Sequence, residues 1–183
     1  MSSLNHEYVL GTANSIDLPR RTPPPEPSLV TGAAQGLEFE SLHAAPSTLR
    51  DLSILAVDDD VTTLELIEMV FEAHGARVTS VTTAEEALAT LRTTPLDESY
   101  ELLLSDIGLP GMDGYELVQR VRGELQIMAQ RMPAIAVTAY ARAEDREMAL
   151  QSGFQAHLPK PYDAEQLVAT ALRLIGQAAR GVR

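Results

Sequence analysis

From residue 52 onward, the chain repeats one hydrophobic pattern five times: a short apolar run, then a stretch with helical spacing. Runs this short and apolar on both faces are typical of strands buried in the centre of a parallel sheet. We therefore predict five strands, at Ile54–Val57, Arg77–Val81, Glu101–Ser105, Ala134–Thr138 and Ala156–Leu158.

Each intervening stretch carries signals for the beginning or end of a helix. Residues that commonly cap helix N-termini precede four of them, and in the second stretch Glu86 follows its cap at capping-box spacing. These caps are Asp60, Thr83, Asp113 and Asp163; the fourth helix is expected from about Arg142 to Gln151. Gly75 and Gly153 are predicted to end the first and fourth helices. The first helix is expected to bury the face that contains Val61, Leu64, Ile67 and Phe71. The last helix is expected to bury the face that contains Leu167, Ala171, Leu174 and Ile175.

Alternating strands and helices predict parallel pairing with right-handed crossovers. The fold class is therefore α/β, a doubly wound parallel sheet. In such a fold the binding crevice lies beyond the carboxyl ends of the strands.

Residues 1–50 show no sustained period, and the segment Leu18–Pro27 is rich in proline. They are expected to form a disordered or weakly ordered arm, with a short strand at Glu7–Leu10 or a short docking helix near Glu38–His43 as alternatives. The folded domain is expected over residues 51–178, followed by a short tail at 179–183.

Composition narrows the functional classes. The chain has no cysteine, which excludes disulfides, thiolate catalysis and zinc–thiolate sites. Its apolar runs are too short to cross a bilayer, and its N-terminus lacks signal-peptide features. A net charge of −12 disfavours direct binding to nucleic acid. We expect a cytoplasmic protein that binds neither membranes nor nucleic acid.

Polar groups follow four of the five predicted strands, so the fold should collect them at one edge of the sheet. They are Asp58, Asp59 and Asp60 after the first strand, Asp106 at the end of the third, Thr138 at the end of the fourth, and Lys160, the only lysine, after the fifth. Considered singly, each residue has an ordinary structural explanation, such as a helix cap or a loop carboxylate. Together, clustered carboxylates suit Mg²⁺, a hydroxyl and an ammonium can bind phosphoryl oxygens, and a carboxylate can attack phosphorus.

Four stretches resemble the receiver domain of two-component signalling, and the likeness covers roughly residues 52–176. The stretches are Ile54–Asp60, Leu104–Leu117, Ala136–Ala141 and Gly153–Pro161. The resemblance implies a five-stranded flavodoxin-like sheet in the order 2-1-3-4-5, with five helices.

The resemblance also implies roles for individual residues. Asp106 matches the phosphoacceptor, and Thr138 and Lys160 match the residues that contact the phosphoryl group. The implied Mg²⁺ ligands are Asp59 directly, Asp58 mostly through water, Asp106, and the backbone carbonyl of Gly108.

Other positions match those that modulate the family's switch. The bond between Lys160 and Pro161 resembles one that is cis. His157 stands at the position of the aromatic switch residue and adds a titratable group. Gly108 and Tyr140 occupy positions that border the path of the hydrolytic water.

The resemblance implies a signalling switch rather than an enzyme acting on other molecules. A histidine kinase or histidine phosphotransfer protein would phosphorylate Asp106, and a downstream protein would read the fourth helix, fifth strand and fifth helix. One alternative is the terminal receiver of a hybrid histidine kinase acting in a phosphorelay, although an initiating Met favours a stand-alone regulator. Another is an aspartyl-nucleophile phosphohydrolase, which expects an acid where this chain has Gly108.

Overall fold

A computed structural model describes residues 49–95, 98–139 and 142–181. The expected arm up to residue 48, with its alternatives at Glu7–Leu10 and Glu38–His43, lies outside this range, as does Tyr140. The strands are β1 (Ser53–Val57), β2 (Arg77–Val81), β3 (Leu102–Asp106), β4 (Ala134–Thr138) and β5 (Ala156–Pro159). The helices are α1 (Val61–Glu72), α2 (Ala84–Thr93), α3 (Gly114–Gly123), α4 (Ala143–Ser152) and α5 (Ala164–Gly181).

The five strands form one parallel sheet in the order β2-β1-β3-β4-β5. This confirms the predicted fold class and strand order. Because β1 and β3 are adjacent at the centre, their carboxyl ends deliver Asp58 and Asp106 to neighbouring positions at one edge.

Two apolar layers cover the sheet. On one face, α1 and α5 pack against side chains such as Ile54, Leu104 and Ile135. On the other, α2, α3 and α4 pack against side chains such as Leu55, Leu103 and Ala136. Strands β3 and β4 are buried along their whole length, which explains why their sequences read as continuous apolar runs.

The predicted caps form at the helix starts. Asp60 accepts a hydrogen bond from the Thr62 amide, and Asp113 accepts one from the Glu116 amide at 2.8 Å. Thr83 accepts from the Glu86 amide, while the Glu86 carboxylate accepts from the Thr82 amide. Helix α4 ends at Gly153, whose φ of +119° is one that glycine adopts freely.

One predicted core position is wrong. Val61 was expected on the buried face of α1, but its side chain is 56% exposed. At 100° per residue, Val61 lies about 90° from the mean direction of Leu64, Ile67 and Phe71. It therefore falls at the margin of the buried stripe, in the first turn of the helix.

The described domain begins before residue 51 and extends beyond residue 178. Leu49 is fully buried in the layer formed by α1 and α5, and α5 continues to Gly181. Among the described residues, no helix is long and apolar enough to span a membrane.

Candidate functional site

Four of the predicted site residues are found at the carboxyl edge of the sheet. Asp58, Asp106 and Thr138 are all buried, which is unusual for polar side chains at strand ends. Lys160 lies just beyond β5, and its amide donates a hydrogen bond to the Thr138 carbonyl at 2.7 Å. The fold thus collects groups that are up to 102 positions apart in the sequence.

The Lys160 ammonium joins the two buried carboxylates. Its Nζ lies 2.8 Å from Asp58 Oδ2 and 3.0 Å from Asp106 Oδ1. Such charge-assisted hydrogen bonds are stronger than neutral ones. A single cation therefore holds together two acids that would otherwise repel each other.

Burial and pairing act against each other in this cluster. Burial raises the pKa of Asp58, and its hydrogen bond with Lys160 offsets only part of that effect. Burial alone would lower the pKa of Lys160, but hydrogen bonds with Asp58 and Asp106 raise it. The two directions are compatible because the Asp58 side chain is 2% exposed and that of Lys160 is 29% exposed.

The three consecutive aspartates have different environments. Asp58 is buried, and its Oδ1 accepts a hydrogen bond from the Asp60 amide at 3.0 Å. Asp60 is exposed, and hydrogen bonds from Thr63 and Thr62 lower its pKa, so it serves as a helix cap. Asp59 is exposed beside them, and the structure does not bring its side chain into the Lys160 cluster.

The loop after β3 shapes the environment of Asp106. The Gly108 amide donates to Asp106 Oδ2 at 2.7 Å, so both oxygens of this carboxylate have partners. The Gly114 amide donates to the Ile107 carbonyl. A side chain at Gly114 would collide with the Asp106 carbonyl oxygen and lie 2.9 Å from Ile107 Cα. A residue without a side chain is therefore required there.

His157 and Thr138 lie on neighbouring strands. His157 pairs in register with Ala136, two residues before Thr138 on β4. Side chains alternate along a strand, so Ala136 and Thr138 face the same side of the sheet as His157. The Nε2 atom of His157 is buried and has no hydrogen-bond partner among the described residues. An unpaired buried nitrogen is unusual, because most such atoms are hydrogen-bonded.

One neighbour of the site was missed from the sequence. Tyr162 is partly buried against the α1–α5 layer, and burial raises the pKa of its hydroxyl. The charges of Lys160, Asp58 and Asp106 also act on that hydroxyl. Its position two residues after Lys160 was the available signal. The bond between Lys160 and Pro161 is cis, as the resemblance implied.

The donor set suits Mg²⁺ better than a transition metal. Within residues 49–95, 98–139 and 142–181, no three acidic or histidine side chains form a metal centre by themselves. Mg²⁺ needs only one or two carboxylates, because water and phosphate oxygens complete its shell. Asp58 and Asp106, which already share one cation, with Asp59 next in the chain, therefore fit this ion.

Comparison with known proteins agrees with this geometry. Residues 54–172 match the family model for the response regulator receiver domain. An uncharacterized 14.6 kDa protein of Leptolyngbya boryana is 48% identical over 121 residues, which is 66% of this chain and 88% of that protein. The sensor histidine kinase GacS of Pseudomonas protegens is 35% identical over 128 residues, which is 69% of this chain and only 14% of the kinase.

Solved structures show the same fold. A CheY-like response regulator receiver domain protein from Methanospirillum hungatei JF-1 is 30% identical, with a TM-score of 0.63 over 72% of this chain and 98% of that one. The chemotaxis response regulator CheY4 of Vibrio cholerae is 26% identical, with a TM-score of 0.61 over 68% of this chain and 98% of that one. The matched region corresponds to the α/β domain.

Proposed function

The chain belongs to the response regulator receiver domain family, and we propose that it is an Mg²⁺-dependent phosphorylation switch with Asp106 as the phosphoacceptor. The single observation that carries this proposal is the bridge from Lys160 Nζ to Asp58 and Asp106. It sets a nucleophilic carboxylate beside an ammonium that can neutralise an incoming phosphoryl group.

In the proposed reaction, the donor is a phosphorylated histidine of a kinase or phosphotransfer protein. An oxygen of Asp106 forms a bond to phosphorus as the P–N bond to that histidine breaks, and the imidazole leaves with the electron pair of the broken bond. The Gly108 amide and Lys160 hold the carboxylate in place, because each contacts one of its oxygens. Lys160 then pairs with a phosphoryl oxygen, and Thr138 donates its hydroxyl to another. Hydrolysis of the aspartyl phosphate resets the switch.

Magnesium would be held by Asp59, by Asp58 largely through water, by Asp106 and by the Gly108 carbonyl. When bound, Mg²⁺ supplies positive charge that stabilises the transferring phosphoryl oxygens. Asp59 is suited to a direct role, because its side chain is exposed beside the buried Asp58.

The signal is proposed to leave through α4, β5 and α5. In α4 only Ala149 is buried, while Met148 and Leu150 are 51% and 39% exposed. A helix with so few buried contacts can shift at small free-energy cost. His157 on β5 would couple to Thr138, since its unpaired Nε2 faces the same side of the sheet.

Receiver domains interact with histidine kinases and phosphotransfer proteins. We propose that one of these donates the phosphoryl group in the cytoplasm, and that a downstream protein, rather than nucleic acid, reads the result. The match to a segment of GacS favours a second candidate, a receiver within a phosphorelay. Transfer profiling separates the two: a direct regulator accepts fastest from a kinase, and a relay receiver accepts fastest from a phosphotransfer protein.

The direct test is labelling by acetyl phosphate. We expect Mg²⁺-dependent incorporation of one phosphoryl group, and its loss in Asp106→Asn, because the amide cannot act as the nucleophile. Asp113→Asn is the matched control, since that residue caps α3 and should still allow labelling. Stoichiometric, stable labelling of Asp106→Asn at another residue would refute the assignment of Asp106.

A further inference from the structure

Arg122 is a partly buried arginine of α3 that takes no part in the proposed phosphorylation reaction. Its Nη1 donates to the carbonyl oxygens of Ile127 at 2.7 Å and Met132 at 2.9 Å, and its Nη2 donates to the Gln155 side chain at 3.0 Å. Its Nε lies 3.3 Å from the carbonyl oxygen of Gly153, the residue that ends α4. Because all three guanidinium nitrogens have acceptors, these charge-assisted hydrogen bonds hold the side chain in one position.

The carboxyl end of α4 packs against Arg122 as well as accepting a hydrogen bond from it. Gly153 has a φ of +119°, and a Cβ at this position would lie 3.2 Å from Arg122 Cγ. On either side of that contact, Ala149 and Phe154 are buried in the apolar layer on that face of the sheet. The end of the helix is therefore anchored both by apolar side chains and by an arginine from another helix.

The amino-terminal half of α4 is attached differently. In this helix, every residue of which the structure describes, Ala149 is the only buried one, so the first half contributes no buried side chain. Its start is capped from within the helix, since the Arg142 amide donates to the Asp145 carboxylate at 3.2 Å. A helix anchored at one end tilts about that end more readily than it slides, because sliding would break the hydrogen bonds made there.

We propose that Arg122 is a positioning residue that fastens the carboxyl end of α4, so that α4 responds to phosphorylation of Asp106 by tilting about Gly153. This inference rests on the proposed switch and specifies how its signalling helix moves. From Gly153, Glu144 lies about 13 Å away along the helix axis and Gln151 about 3 Å away. A tilt about Gly153 therefore moves Glu144 roughly four times as far as Gln151.

Distances between paired spin labels test this motion in the full-length protein, because the chain has no cysteine of its own. One label is attached at Glu65→Cys on α1, a helix held by three buried side chains that serves as the reference. The second is attached at Glu144→Cys or at Gln151→Cys, which are both exposed positions. Phosphorylation with acetyl phosphate and Mg²⁺ should change the distance to Glu144 several times more than the distance to Gln151. Equal changes, or none, in protein phosphorylated on Asp106 would overturn the proposal.

The role of Arg122 is tested in the unphosphorylated protein. The distance distribution of the label pair that ends at Gln151 should be narrower than that of the pair that ends at Glu144. Arg122→Lys keeps the charge but loses the planar fork, and it should broaden the Gln151 distribution toward the Glu144 one. Arg120→Lys is the matched control on the same helix, because the ion pair of Arg120 with Glu116 lies at the surface, and it should leave both distributions unchanged.

Two results in the unphosphorylated protein would overturn the proposal: equal widths at the two ends of α4 in the wild type, or a Gln151 distribution that Arg122→Lys leaves unchanged. The wild-type comparison decides the matter even if Arg122→Lys does not fold. Failure of acetyl phosphate to label Asp106 would refute the proposed function, whereas the widths would still show whether the carboxyl end of α4 is fastened. The two proposals can therefore fail separately.

Discussion

Lys160 is the residue on which the site geometry depends most. It is the only lysine among the chain's 14 lysine and arginine residues, and its ammonium contacts two carboxylates at the ends of different strands, Asp58 just after β1 and Asp106 at the end of β3. A compact ammonium fits between two oxygens about 3 Å away on either side, whereas a guanidinium is a wider planar fork. The choice of lysine therefore has a steric reason as well as an electrostatic one.

We predict that Lys160→Arg keeps the positive charge at this position but does not support normal phosphorylation. Displacement of Asp58 and Asp106 should reduce the rate of phosphorylation by acetyl phosphate at least about tenfold, equivalent to about 1.4 kcal/mol of barrier. The control is Arg173→Lys on the exposed side of α5, which should label normally. Wild-type labelling and partner response in Lys160→Arg would show that the pocket does not discriminate by shape.

Tyr140 lies outside the described residues, so its proposed role rests on its position two residues after Thr138. There it would shield the bond between phosphorus and Asp106 from water, and its hydroxyl would be a poor proton acceptor. We predict that Tyr140→Ala accelerates decay of the phosphorylated protein with Mg²⁺ present. Decay no faster than wild type, at equal Mg²⁺ affinity, would exclude a shielding role.

At the scale of elements, the β3–α3 connection constrains the site through its backbone. Gly114 begins α3, and its amide is hydrogen-bonded to the Ile107 carbonyl. The three atoms nearest to a methyl group there are all backbone atoms, of Asp106 and Ile107. Since backbone atoms cannot rotate away, the loop itself would have to move.

We predict that Gly114→Ala lowers the free energy of unfolding by about 1–3 kcal/mol, as overpacking usually does, and slows phosphorylation by displacing Asp106. Gly123→Ala is the matched control, because a Cβ at that end of α3 meets nothing within 4 Å. Urea unfolding of both variants measures the difference. Equal stability of the two variants would mean that the loop has room that the structure does not show.

The sequence predicts some elements better than others, for physical reasons. Strands β2 and β4 were predicted with their observed bounds, and the other three within one residue at each end. A fully buried strand such as β4 reads as a continuous apolar run, whereas β2 is only partly buried and mixes apolar with polar residues. The exposed position of Val61 was not predicted, since spacing gives the phase of a helix but not the edge of its buried face.

For the site, too, the sequence does not predict features that depend on tertiary contacts. The predicted strand ends were enough to place four residues at one edge of the sheet: Asp58, Asp106, Thr138 and Lys160. In the structure, these four residues lie at that edge. Asp58 and Asp59 are the same residue type in adjacent positions, so no pattern could show that only the first is buried. The spacing of residues along the sequence also could not reveal the hydrogen bonds that Arg122 makes.

Arg122 fastens α3 to the segments before β4 and β5. Its guanidinium donates to the carbonyls of Ile127, Met132 and Gly153 and to the side chain of Gln155. Burial lowers the pKa of this arginine to about 10, which leaves it charged at neutral pH. Its partners are mostly backbone carbonyls, which carry no side-chain signal in the sequence.

At the scale of the molecule, we expect the described domain to be phosphorylated without the residues that precede it. All proposed phosphorylation residues lie between Asp58 and Lys160, within the parallel sheet and its loops. Leu49 belongs to the domain core although it precedes residue 51, so where a truncation is made decides what it tests. Removing residues 1–48 leaves every core residue that the structure describes in place, whereas a cut after residue 50 also removes the fully buried Leu49.

We therefore predict that the chain without residues 1–48 folds and accepts phosphate from acetyl phosphate at a rate close to that of the full chain. Leu49→Ala in the full-length protein should instead lower the free energy of unfolding by about 2–5 kcal/mol, the usual range for a buried leucine. Urea titration and phosphorylation of both proteins provide the comparison. A folded truncated protein that cannot be phosphorylated would contradict the prediction, because it would mean that the segment acts on Asp106 rather than on stability.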